Sequence, residues 1–251
     1  MGWNMENKKS LLKLSSIDIV PKLSVRIPTV GEILEDEDSY YNITSSLTAS
    51  PFQYMVQLDD MGIDYTTITD YELFMMLFPM YAKSDLSIVF GDLDTSDFDV
   101  YINQQDDTKF IYSPKNNIII DELIYNDLTD TIRKINLFEK VKSKPGNESA
   151  KKYLLEKERK KQKRNAKKKH EPYLEKLVIA LVNTSEFPYN YDSCMDLSIY
   201  KFNQSLKQIQ HKIAFDNTMV GVYAGTVDTS KMINKDILSW IPRDWFWKIR
   251  P

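Results

Sequence analysis

Four aspartates lie within one short stretch, GDLDTSDFDV, which runs from Gly91 to Val100. Clustered carboxylates beside a strand supply the oxygen ligands that a hard divalent cation prefers. An EF-hand calcium loop would need glycine where this sequence has Asp97, and a bidentate glutamate where it has Asn103. An aspartate-rich hairpin turn explains the same residues without a ligand. We therefore predict a turn here and no metal site.

Two other arrangements could carry catalysis. Asp97 and Asp99 resemble the paired aspartates of nucleotidyltransferases, which makes a metal-dependent nucleotidyltransferase our third functional hypothesis. That family places a Gly-Ser pair several residues upstream to hold the nucleotide phosphates, whereas here Gly91 is followed at once by Asp92. The single cysteine, Cys194, has no histidine near it in sequence with which to form a nucleophile pair. We expect no enzyme and no cofactor.

The strongest charge feature is a basic segment. The chain carries 33 Lys and Arg against 36 Asp and Glu, but residues 140–170 hold 14 basic side chains and only 3 acidic ones. Such a segment can be a solvated helix, or it can bind an acidic protein surface or the phosphates of nucleic acid. Tyr153 is its one aromatic residue, so base stacking has little support. The partner-binding residues that we select from it are Lys160, Lys161, Lys163, Arg164, Lys167, Lys168 and Lys169.

The C-terminal segment, residues 239–250, is rich in aromatic residues. Aromatic side chains bury large areas and are enriched among the anchors of protein interfaces. The segment either folds back onto the protein's own core or docks onto a partner protein. The further partner-binding residues that we select from it are Trp240, Trp245, Phe246 and Trp247.

Composition narrows the classes of function. The chain has 251 residues, of which 42% are hydrophobic and 27% charged, as in an ordinary globular protein. One cysteine cannot form an internal disulfide, and two histidines leave little material for zinc or haem ligation. No apolar run reaches the roughly 18 residues needed to cross a bilayer, so we expect no membrane partner.

The N-terminal part shows the signals of a mixed fold. Residues 17–27 alternate apolar and polar side chains, which predicts two short strands or one interrupted edge strand. Thr29 with Glu32, and Thr69 with Glu72, have the spacing of helix capping boxes, and the second predicts a buried helix beginning near Asp70.

A further helix is predicted between these two helices, and a sheet between the second one and the basic segment. Ser50 before Pro51 predicts a helix start, and Gly62 its end. Apolar and alternating runs from Leu86 to Ile120 predict a four-stranded antiparallel meander. Asp121 is expected to cap the helix that follows it.

The C-terminal part is expected to be mainly helical. Apolar residues recur at spacings of 4, 3, 4, 3 and 4, which predicts one amphipathic helix of about five turns. The residues of this stripe are Met195, Ile199, Phe202, Leu206, Ile209 and Ile213.

Two blocks of the sequence resemble a known group of proteins. The first runs from SVRIPTVGEIL at residue 24 to ELFMMLF at residue 78, and the second from NTSEFPYNYD at residue 183 to TSKM at residue 232. Together they are similar to structural-region proteins of tailed bacteriophages, of the tail assembly chaperone or T4-like baseplate hub subunit type. The resemblance implies a non-enzymatic assembly factor that binds tail or baseplate subunits in the host cytoplasm or within the virion.

These observations lead to one overall prediction. The fold class is α+β, with a mixed domain at residues 1–140 containing a small antiparallel meander, a basic helical connector at 141–170, and a mainly helical domain at 171–251. The function is assembly of, or a structural place in, a phage tail or baseplate through protein–protein contacts. The alternative is a nucleic-acid-binding protein that uses the Lys-rich segment 140–169.

Overall fold

The computed structural model describes residues 10–141, 143, 145–166, 173–233 and 235–241. The strands in this part of the chain are β1 Ser16–Val20, β2 Leu23–Arg26, β3 Asp99–Ile102, β4 Lys109–Ser113 and β5 Ile118–Ile120. The helices are α1 Val30–Glu35, α2 Glu37–Leu47, α3 Met55–Asp60, α4 Asp70–Tyr81, α5 Ser87–Phe90, α6 Glu122–Asn136, α7 Glu148–Asn165, α8 Leu174–Val182, α9 Tyr191–Met195 and α10 Ile199–Tyr223. The predicted α+β class is confirmed.

Local sequence signals set several of these boundaries. Of the two predictions for residues 17–27, that of two short strands is confirmed: β1 and β2 form and pair antiparallel. Both capping boxes form: Thr29 caps α1 and Thr69 caps α4, each with the glutamate three residues later bonding back to the cap backbone. The Asp121 side chain accepts a hydrogen bond from the backbone N–H of Ile124 and so caps α6, as predicted.

Two predictions in the N-terminal part are wrong in detail. The helix expected to start at Ser50 begins at Met55 instead, after a turn, although Gly62 does follow its end with a φ of +73°. The meander has three strands in the order β3-β4-β5, because Leu86–Phe90 does not form a strand. Asp85 accepts from the Ser87 N–H at 2.8 Å and Gly91 has a φ of +65°, so the apolar run closes into the single helical turn α5.

The stripe of the C-terminal part is also interrupted. The predicted helix is interrupted between α9, which ends at Met195, and α10, which begins at Ile199, because Ser198 has an extended backbone with a ψ of 146°. The reason is a tertiary contact between residues 28–30 and residues 197–199. The Val30 N–H donates to the Leu197 carbonyl at 2.8 Å, and the Ile199 N–H donates to the Pro28 carbonyl at 2.8 Å. Ser198 then caps α10, and the apolar stripe resumes at Ile199.

The main hydrophobic core contains residues from both the N-terminal and the C-terminal part of the chain. It contains Val25 and Ile33 near the beginning together with Phe202 and Ile209 on α10. Glu37 adds a polar link, because its carboxylate accepts from the backbone N–H groups of Tyr173 and Leu174 and caps the start of α8. The division into parts at 140/141 and 170/171 stays a prediction.

Candidate functional site

Helix α7 carries the basic segment, and its inward side is bound to an acidic surface of the same chain. Lys151 Nζ lies 2.5 Å from Asp64 Oδ2, and Arg159 Nη2 lies 2.6 Å from both Asp59 Oδ2 and Asp60 Oδ1. The hydrogen bond from Lys151 lowers the pKa of Asp64 to about 2. These three aspartates follow α3 or lie at its end, so the two helices are held together by charge.

Apolar contacts support this docking. The half-buried side chains of Leu154 and Leu155 pack against a small second core that includes Met55, Leu58 and Tyr65. A fully solvated helix was one prediction for this segment, but Leu154 and Leu155 give the first half of α7 a partly buried side. The sequence did not point to this acidic docking surface, because aspartates such as Asp59, Asp60 and Asp64 are common in loops and at helix ends.

The outward side of α7 presents free cationic side chains. Tyr153, Lys157, Lys160 and Arg164 are exposed and follow one another at spacings of 4, 3 and 4, which places them along one stripe. The predicted residues Lys161 and Lys163 are also exposed, and Lys161 lies 3.3 Å from Glu158. Lys167, Lys168 and Lys169 lie outside the described residues. This stripe can bind a series of anionic groups.

The second half of α10 presents an apolar stripe that no described element covers. Within this helix the buried side chains end at Ile209. The same side of the helix continues with Ile213, Val220 and Tyr223, which are 42%, 69% and 84% exposed. The exposed Asp216 lies among them and pairs with Lys212 at 2.6 Å. Apolar side chains that continue a core-facing stripe into solvent are typical of a docking surface.

The chain returns along another side of α10 toward its aromatic end. The backbone carbonyl of Trp240 accepts from Gln208 Nε2 at 2.8 Å, and the carbonyl of Ser239 lies 2.7 Å from His211 Nε2. The Trp240 side chain is 57% exposed, so it adds to the apolar surface near α10. Trp245, Phe246 and Trp247 lie outside the described residues.

The aspartate-rich stretch folds as a turn in which the carboxylates bond to neighbouring groups. Asp97 accepts from the Ser113 hydroxyl at 2.8 Å and from the Lys115 N–H at 2.7 Å, and Asp94 pairs with the Lys115 side chain. Asp99 accepts from the Val100 N–H at 2.8 Å. Within the described ranges no group of three or more His, Cys, Asp or Glu side chains is placed to hold a metal ion.

Cys194 lies in the core. Its side chain is buried on α9, and burial raises the pKa of the thiol. A thiol of this kind is chemically inert in the folded protein, since the reactive form is the thiolate.

Comparison with known proteins bears on the C-terminal part. Residues 163–244 match the model of a family described as the YomV second domain, which is a phage-associated family. The match supports a phage protein. It covers 82 of the 251 residues, from the last turn of α7 through α8, α9 and α10. No curated protein and no solved structure gives a significant match. Among the described helices, none is long and apolar enough to cross a membrane.

Proposed function

We propose that this protein is a non-enzymatic component of phage tail or baseplate assembly and that it works by binding other polypeptides. The observation that supports this most directly is the uncovered stripe Ile213, Val220 and Tyr223, which lies inside the phage-associated match. Trp240 lies in the same part of the chain and is also exposed. A partner that covers these three side chains would remove apolar surface from water, which is the main source of free energy in most protein association.

The chemistry of the rest of the chain agrees with a binding role. Asp94, Asp97 and Asp99 of the turn are bonded to their neighbours, and the one thiol is buried. The basic stripe of α7 offers charge that can steer an acidic partner into contact. We place this activity in the host cytoplasm during assembly, or in the finished virion.

The test is affinity capture from a phage-infected lysate, with the captured proteins identified by mass spectrometry. The full-length protein should recover tail or baseplate subunits. The double variant Val220→Ser/Tyr223→Ser should lose them while staying folded, because substitutions at exposed positions usually change stability by less than about 0.5 kcal/mol. The matched control, Met61→Ser/Leu123→Ser, removes two exposed apolar side chains that lie outside α10 and α7, and it should recover the same subunits as the unaltered chain. Capture without any tail or baseplate subunit would contradict the proposal.

Nucleic-acid binding remains the second candidate because of the outward stripe of α7. Tyr153 stands 63% exposed in line with Lys157, Lys160 and Arg164, an arrangement that pairs an aromatic surface with cations. This candidate predicts that the protein binds single-stranded nucleic acid in a filter-binding assay at low salt. Each phosphate contact that is lost should reduce the slope of log K against log salt by about 0.7. The Lys160→Ala/Arg164→Ala variant should then bind more weakly, and a flat titration with the full chain removes this candidate.

A further inference from the structure

Strand β3 forms one outer edge of the three-stranded sheet. The Asn103 N–H donates to the Thr108 carbonyl at 2.9 Å, and this bond fixes the alternation of the ladder between β3 and β4. Because hydrogen-bonded and non-hydrogen-bonded pairs alternate in an antiparallel ladder, the backbone groups of Val100 and Ile102 point away from β4. In the described part of the chain, that edge carries one hydrogen bond, from the Val100 N–H to Asp99 Oδ1 at 2.8 Å.

A groove of about 540 Å³ runs beside this edge, between β3 and α4. Its apolar lining is formed by Ile68, Met75, Met76 and Val100. Met80 lies one turn beyond Met76 on α4 and is 72% exposed, so it extends the apolar wall. Methionine side chains are flexible and polarisable and adapt to ligands of different shape.

The charges around the groove are mostly negative. Glu72, Asp107 and Lys109 line it, and Asp99 stands at the start of β3. Two carboxylates against one ammonium group line the groove, and this balance favours a ligand that carries lysine or arginine over one that is acidic.

We propose that β3 accepts an extended segment of a partner protein as an added fourth strand of the sheet. The backbone of the segment pairs with Val100 and Ile102, and every second side chain enters the groove against Met75 and Met76. This is the geometry of strand addition, in which main-chain hydrogen bonds supply affinity and pockets for alternate side chains supply specificity. The segment is alternately apolar and basic, because the groove is apolar and its margin acidic.

This surface is separate from the stripe on α10 and does not depend on a tail or baseplate role. Val100 and Ile102 are 36% and 56% exposed, although both are strong strand formers with apolar side chains. An apolar edge of this kind is open to pairing with another chain. The short length of β3 and the Asp99 side chain restrict this pairing, so a segment that brings its own positive charge is preferred.

The probe is a fluorescently labelled peptide of nine residues in which Ile and Val alternate with Lys and Thr. Its binding to the full-length protein is measured by anisotropy, and hydrogen exchange is followed at the Ile102 amide. We expect saturable binding below about 200 µM and slower exchange of the Ile102 amide in the complex. A peptide with Glu in place of Lys should bind at least about tenfold more weakly.

Two variants separate strand addition from other modes of binding. Ile102→Pro removes an N–H that faces the free edge and leaves the bonds to β4 intact, a position where proline is tolerated in edge strands. We expect it to weaken peptide binding by about tenfold or more, whereas Ile102→Thr keeps the donor and should stay within about threefold of the unaltered chain. If Ile102→Pro does not fold, the exchange of the Ile102 amide in the unaltered chain decides the question. Absence of binding by the full chain, or an unchanged exchange rate at Ile102 in the complex, overturns the proposal, as does equal binding by a folded Ile102→Pro variant.

Discussion

A buried hydrogen bond between two side chains links helices α2 and α6 across the core. The Tyr40 hydroxyl donates to Asn136 Oδ1 at 2.8 Å, and both side chains are buried. Asn136 Nδ2 is held separately by the Ile132 carbonyl at 3.0 Å, so the amide orientation is fixed. The substitution Tyr40→Phe removes the hydroxyl and leaves the ring, which isolates the hydrogen bond from the packing around it.

The expected loss of stability follows from the buried acceptor that the substitution leaves without a donor. Asn136 Oδ1 keeps its burial but loses its donor, and an unsatisfied buried acceptor costs about 1–3 kcal/mol. The free energy of unfolding, measured in urea, should fall by that amount. For a chain of this size the midpoint of thermal unfolding should drop by about 2–4 °C per kcal/mol. The control is Tyr153→Phe on the exposed side of α7, which should change stability by less than about 0.5 kcal/mol.

A double-mutant cycle with Asn136→Ala tests the physical reason for this cost. If the hydrogen bond carries it, the double variant should be less destabilised than the sum of the two single variants by about 1 kcal/mol. Strict additivity of the two substitutions, or a cost for Tyr40→Phe below about 0.5 kcal/mol, would refute the reasoning.

Three further outcomes are expected. Asp64→Asn should weaken the contact between Asp64 and Lys151 and speed tryptic cleavage within α7, whereas Asp18→Asn should have no effect. Hydrogen bonding by Lys151 lowers the pKa of Asp64 to about 2. The unaltered chain should therefore lose the same contact as the pH falls from about 4 to 2. Cys194 should not react with a thiol reagent until the chain unfolds, and rapid labelling of native protein would show that the burial is wrong. Burial raises the pKa values of Tyr41, Tyr71 and Tyr125 to about 12. The contribution of these phenols to the free energy of unfolding should therefore be fully present below pH 10 and be lost as the pH rises toward 12. An absorbance titration in which these phenols ionise completely near pH 10 would contradict this.

The candidate surfaces were predictable to different degrees. The exposed lysines of α7 could be selected from sequence because a run of cations cannot be buried without partners. The groove beside β3 could not be predicted. Met76 and Val100 are 24 residues apart in the sequence, and they line the same groove only because α4 packs against β3. The tertiary contact between α4 and β3 creates that site.

The amino-acid sequence by itself determined the features that depend on neighbours within a few residues. The capping boxes at Thr29 and Thr69 and the Asp121 cap formed where their side chains could reach the nearby N–H groups of a helix start. Tertiary structure decided the rest. The break before Ile199 follows from hydrogen bonds to residues 28–30, and the docking of α7 follows from aspartates some 90 residues away. Periodicity reports which side of a helix is apolar, but it carries no information about the distant backbone or charge that will meet it.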